Sequence, residues 1–169
     1  SSTTAALALG DALAVVLLQA RHFTPDDFAL SHPAGSLGKR LLIRVGDLMH
    51  SGDALPQVTQ DADLKAAILE MSAKGLGMTA VVDSQNHAVG VITDGDLRRM
   101  IDQQQGFDVN LAVCEVMTKN PLTISAEARA VEALEKMHEK KINQFAVVDA
   151  ANKVIGVISM HDLIEAGVN

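Results

Sequence analysis

One stretch of this chain is written twice. Residues 71–97 align without gaps onto residues 137–163, a shift of 66 residues, and self-similarity at a fixed period means one structural unit built more than once. Thr79-Ala-Val-Val-Asp83 recurs as Phe145-Ala-Val-Val-Asp149, and Gly90-Val-Ile-Thr-Asp-Gly-Asp-Leu97 recurs as Gly156-Val-Ile-Ser-Met-His-Asp-Leu163. Upstream, Val45-Gly-Asp-Leu-Met49 corresponds to Val113-Cys-Glu-Val-Met117, with two extra residues in the first copy. Any fold for this chain must hold the same unit twice.

Each copy reads as β-α-β-β-α. A short strand (57–59; 122–124) leads into an alanine-rich amphipathic helix (63–74; 128–140). Short, β-rich apolar runs at 79–82 and 145–148 follow, each ending in turn chemistry, Asp83-Ser-Gln-Asn86 and Asp149-Ala-Ala-Asn152. Residues 88–92 and 154–158 return as hairpin partners. Asp96 and Asp162 then open the closing helices, where a carboxylate is favourable near the positive helix end.

Composition narrows the function. A net charge of −7, no Trp or Tyr and four Phe disfavour nucleic-acid binding, which needs cations and stacking surfaces. Cys114 is the single cysteine, so no intrachain disulfide can form, and the cytoplasm is the expected compartment. Residues 5–20 are the most apolar stretch. They are shorter than a membrane span of about 20 residues and carry Gly10 and Asp11, so a buried helix is expected rather than a membrane helix or signal peptide. Thr24-Pro-Asp-Asp27 has the form of a helix start, with Thr as N-cap and Asp at the capping-box distance.

The repeat resembles the cystathionine-β-synthase-type (CBS) motif over residues 45–168, through Gly-hydrophobic-x-Thr/Ser-x-x-Asp at the last strand-to-helix junction: Gly90-Val-Ile-Thr-Asp-Gly-Asp96 and Gly156-Val-Ile-Ser-Met-His-Asp162. The resemblance implies an α/β (α+β) fold, a tandem pair packed sheet against sheet about a pseudo-twofold axis. Ser1-Ser-Thr-Thr-Ala5, Gly10-Asp-Ala-Leu-Ala14 and Asp27-Phe-Ala-Leu-Ser-His-Pro-Ala-Gly-Ser-Leu-Gly38 are similar to the D-arabinose-5-phosphate isomerase family, in which a sugar isomerase domain precedes two CBS motifs. That resemblance implies three segments: helices ending the isomerase domain (1–43), a first CBS domain (44–107) and a second (108–169). The family interconverts D-ribulose 5-phosphate and D-arabinose 5-phosphate on the way to Kdo and lipopolysaccharide. It places a catalytic histidine in a Ser-His-Pro-Gly-Gly segment, matched here by Ser31-His-Pro-Ala-Gly35 with one change, so His32 inherits that role in the intact enzyme.

In CBS pairs the marker binds ligands: an ionised Asp accepts hydrogen bonds from a ribose diol, while a Thr or Ser hydroxyl and helix amides hold phosphate. Thr93 with Asp96, and Ser159 with Asp162, fit those roles; the plainer reading makes each Asp a cap and each hydroxyl a turn residue. Thr59, Met78 and Thr79 are expected in the first cleft, and Asn143, Gln144 and His161 in the second, with Asn143 and Gln144 the more selective side. Arg98, Arg99, Lys119, Arg129 and Lys140 are candidate phosphate partners. No His or Cys has zinc spacing, and no metal or other cofactor is expected as a requirement.

The function so implied is regulatory: a small phosphorylated metabolite, an adenine nucleotide or a nucleotide-sugar such as CMP-Kdo, binds the clefts and biases the neighbouring catalytic domain. A ligand-free pair serving oligomerisation, as a dimer of pairs or a tetramer, is the alternative. Neither involves nucleic acid or a membrane, and the fragment alone is expected to be inactive.

Overall fold

The computed structural model describes residues 2–24, 27, 42–102 and 108–168, and its contacts divide the chain into two units, residues 1–42 and 43–169. In the first unit, helix α1 (Ser2–Ala20) starts earlier than the apolar run and reaches 19 residues. The expected burial is not met, for none of its residues is buried. Leu7, Val15, Val16 and Leu17 encircle the helix, and apolar surface on every side needs cover on every side. By length and a mean hydropathy of 1.6 alone, α1 could also cross a membrane. The expected capping box forms: the Thr24 amide donates to Asp27 Oδ2 at 2.8 Å, and the Asp27 amide to Thr24 Oγ1 at 3.2 Å. His32 lies outside the described residues.

The second unit holds two sheets. The first runs β1-β2-β3-β4, from β1 (Gln57–Thr59), β2 (Met78–Val82), β3 (Ala88–Thr93) and β4 (Thr118–Lys119); the second runs β5-β6-β7, from β5 (Thr123–Ser125), β6 (Gln144–Val148) and β7 (Val154–Ser159). In each copy the first two strands are parallel, so a helix must carry the chain back between them: α3 (Leu64–Lys74) and α6 (Ala130–Lys140). These helices bury residues that are not branched at Cβ, Leu64, Ala67 and Met71 in one, Ala130, Ala133, Leu134 and Met137 in the other. Asp63 and Arg129 stand one residue outside as N-caps, so both helices start later than expected; the Asp63 carboxylate accepts the Ala66 amide at 2.7 Å. The antiparallel hairpins owe their turns to one device used twice. Asp83 Oδ1 accepts the amides of Gln85 and His87, Asp149 Oδ1 those of Ala151 and Lys153, and Asn86 and Asn152 take the left-handed conformation that Asn tolerates.

The segment leading into each copy packs on the other copy. Short helix α2 (Val45–Leu48) puts Val45 into the core of the second copy, and His50 exchanges backbone hydrogen bonds with Val157 on β7. Reciprocally, α5 (Val113–Val116) puts Val113 into the core of the first copy, and β4 pairs with β3. This crossing explains the glycine of the marker. A Cβ at Gly90 would stand 2.3 Å from Met117 Sδ, and one at Gly156 2.6 Å from Met49 Sδ, so the methionine of each leading segment fills the room that glycine leaves.

The strands divide their side chains by the two-residue period. Thr79 and Val81 of β2 and Phe145 and Val147 of β6 face the helices, while Ala80, Val82, Val148 and Val154 form a separate core between the sheets. The hairpins also join there: Val154 N donates to the Asn86 carbonyl at 2.9 Å, and Asn86 Nδ2 to the Val154 carbonyl at 2.8 Å.

Candidate ligand-binding site

A cleft of about 580 Å³, within the range of small-molecule sites, opens where the ends of β2 and β3 meet the second copy. One wall is Gly77, Met78, Val91 and the start of helix α4 (Asp94–Asp102), with Thr93, Asp94, Gly95, Asp96, Arg98 and Arg99. Facing it are Thr118 and the 120–122 segment, then Lys141, Ile142, Asn143, Gln144 and Ala146. Gly77 has φ +66, and a Cβ there would stand 3.1 Å from Asp94 Oδ2 and 3.4 Å from Gln144 Nε2, so glycine lets the two copies close on each other.

Asp96 is the electrostatic centre of this cleft. Its Oδ2 accepts the Thr93 amide at 2.8 Å and the Thr93 hydroxyl at 2.6 Å; its Oδ1 accepts the Thr118 hydroxyl at 3.0 Å and the Arg99 guanidinium. Burial opposes the charge, but the hydroxyl and amide of Thr93, the hydroxyl of Thr118 and the charge of Arg99 outweigh it and hold the carboxyl below its usual range. The second marker repeats the cap. Asp162 Oδ2 accepts the Ser159 amide at 2.8 Å and hydroxyl at 2.6 Å, and Asp162 Oδ1 lies 3.0 Å from His50 Nε2. Here too burial opposes ionisation, and the Ser159 hydroxyl, His50 and the Ser159 amide prevail, lowering the pKa. His50 takes the place that Thr118 holds in the first copy, as the aligned Met49-His50 and Met117-Thr118 require.

Several expected placements change. Asn143 and Gln144 line the cleft of Thr93 and Asp96, and Gln144 Nε2 donates to the Leu76 carbonyl of the first copy at 3.1 Å. Gln144 lies on the β6 face that Val148 turns between the sheets, and Asn143 directly precedes the strand, so both line the other copy's marker. Thr79 is fully buried on the opposite face of β2, where its hydroxyl donates to the Ala67 carbonyl at 3.1 Å, so it does not line the cleft. Thr59 pairs with Val82, at the end of the sheet away from Met78 and Thr93. Parallel pairing of β1 with β2 forces that distance. His161 points to solvent beside Glu165, with its side chain 85% exposed. Of the candidate phosphate partners, Arg98 and Arg99 line the cleft; Lys119, Arg129 and Lys140 do not, and Arg129 and Lys140 lie against Glu132 and Glu139. Leu122 was expected beside a cleft and lines this one; Thr118, Asn120, Pro121 and Lys141 were not anticipated as lining. Only the alignment of Thr118 with His50, both directly after the methionine of a leading segment, could have marked one of them.

Comparisons with known proteins fit this geometry. The CBS domain family profile matches residues 45–103 and 113–169. The chain is 52% identical over 169 residues to "Arabinose 5-phosphate isomerase KdsD" of Pseudomonas aeruginosa, covering 99% of this chain and 51% of the relative. It is 50% identical over 169 residues to the protein of the same name in Escherichia coli, again covering 99% and 51%. The chain thus spans about half the length of these curated relatives. Among solved structures, the complex of CBSX2, a CBS-pair protein from Arabidopsis thaliana, with AMP superposes with a TM-score of 0.62 and 25% identity, covering 74% of this chain and 96% of that one.

Proposed function

This chain belongs to the CBS domain family, and from that premise we propose that it is the regulatory half of an arabinose 5-phosphate isomerase, sensing a nucleotide or nucleotide-sugar in its clefts. The observation that carries the reading is the cleft itself: an ionised Asp96 capped by Thr93, with Arg98, Arg99 and Lys141 on the same walls, offers an acceptor for a sugar diol beside cations for a phosphate. CBSX2, bound to AMP in its own structure, supports the nucleotide class. The 52% identical relative supports the enzyme. In that cytoplasmic parent enzyme, D-ribulose 5-phosphate and D-arabinose 5-phosphate interconvert with His32 moving a proton, and α1 lies under the half of the enzyme outside this chain. A nucleotide-sugar such as CMP-Kdo, a product further along that route, is the effector that feedback would favour. The three segments 1–43, 44–107 and 108–169 are then the end of the catalytic domain and the two sensing repeats, assembled as a homo-oligomer.

A thermal-shift titration tests the reading, because a ligand specific for the native state raises its melting temperature. AMP, CMP or a CMP-sugar is expected to raise the melting point of this chain. Asp96→Ala and Asp162→Ala should each weaken that ligand by about 1.5–3 kcal/mol, the range for charged hydrogen bonds. No shift with any of them at millimolar concentration would reject sensing in favour of a ligand-free pair that serves oligomerisation.

A further inference from the structure

Asp96 has no acceptor capacity left. A carboxylate offers about four lone-pair sites, and four donors already use them: the Thr93 amide and hydroxyl on Oδ2, the Thr118 hydroxyl and Arg99 on Oδ1. A ligand diol can bind this carboxylate only by displacing a donor. Thr93 is fixed by the capping geometry of α4 and Thr118 by the pairing of β4 with β3. Arg99 is different: its side chain is 66% exposed, against 7% for Asp96, so it is the donor that can leave. Its departure, however, strips a nearly buried carboxylate of its cation. A neutral ligand would replace a charge-assisted hydrogen bond with a weaker one. A ligand that also carries an anionic group gives Arg99 a new partner in the same cleft.

We propose that Arg99 is the selectivity gate of the first cleft, released from Asp96 by an anionic group on the ligand, so that the cleft takes phosphorylated nucleosides and discriminates against neutral ones. The proposal rests on the sensing function above. Among the described residues, the second marker has no such gate. Shifting by the repeat, Arg98 and Arg99 become Ile164 and Glu165, Gly95 becomes His161, and His50 occupies Asp162 Oδ1 instead. Among the described residues, the Arg99 gate therefore belongs to the first cleft.

Isothermal titration of AMP against adenosine, and of CMP against cytidine, with the wild-type chain, Arg99→Gln and Arg99→Lys tests the gate. The wild type should prefer the better-binding monophosphate over its nucleoside by about tenfold or more, the scale of one charged hydrogen bond. Arg99→Gln should weaken the monophosphate and strengthen the nucleoside, collapsing the preference, while Arg99→Lys keeps most of it. A gain in nucleoside affinity is the decisive sign, because simple loss of surface charge would leave the nucleoside unmoved. If monophosphates bind but Arg99→Gln keeps the wild-type preference, or weakens both ligands alike, the gate is wrong and the sensing function stands. If neither monophosphate binds the wild type, the gate falls, and the sensing function falls with it only if a CMP-sugar also fails to bind.

Discussion

The two hairpin turns are chemically alike but carry different loads, and replacing Asn86 or Asn152 with alanine should expose the difference. Both residues hold a left-handed backbone, at φ 69 and φ 61, and alanine there should cost about 1 kcal/mol relative to asparagine. For Asn152 that is the whole effect, since its side chain makes no hydrogen bond among the described residues. Asn86 also accepts from Gln57 Nε2 at 2.9 Å and donates to the Val154 carbonyl at 2.8 Å, tying β1 and the second sheet to one side chain. Each bond contributes about 0.5–1.5 kcal/mol. Asn86→Ala would also leave the Gln57 amide without its partner, and Gln57 Oε1 is already buried without one among the described residues. The sum is about 2–4 kcal/mol for Asn86→Ala against about 1 kcal/mol for Asn152→Ala. Urea denaturation followed by far-UV circular dichroism measures both, and a Gln57→Ala, Asn86→Ala double-mutant cycle should show positive coupling. Equal losses for the two alanine variants would refute the argument that the sheets are pinned through Asn86.

Gly90→Ala should destabilise by about 1–3 kcal/mol through overpacking against Met117, and adding Met117→Ala should recover part of the loss in the same melts. Asp96 and Asp162 both have folded pKa values below the ordinary 3.8, so their stabilisation is complete above that value and is lost as pH falls through the lower folded one. Urea midpoints between about pH 5 and pH 2 should therefore drop less steeply in Asp96→Asn and Asp162→Asn than in the wild type; parallel curves would contradict the lowered values. Thr79→Val should cost about 1 kcal/mol by removing the hydrogen bond to Ala67 while leaving nucleotide affinity unchanged, and a fall in affinity on titration would return Thr79 to the cleft.

What the sequence determined alone was whatever depends on neighbours in the chain. The duplicated unit, the helices between parallel strands, the Asp83 and Asp149 turns and the Thr24–Asp27 capping box all follow from spacing and side-chain chemistry within a few residues. So does the pairing of Thr93 with Asp96 and Ser159 with Asp162, because the marker and the cap are the same three-residue step. Tertiary structure decided which residues meet across the repeat. Strand β2 is apolar but for Thr79 and buried throughout, so no alternation reveals that Met78 faces the cleft and Thr79 faces α3. Nor can order along the chain show that each leading segment crosses to the other copy, that Gln144 closes the cleft of Asp96, or that Arg99 and Thr118 fill its carboxylate. Those contacts join residues far apart in sequence, and they exist only once two sheets of fixed twist have packed against each other.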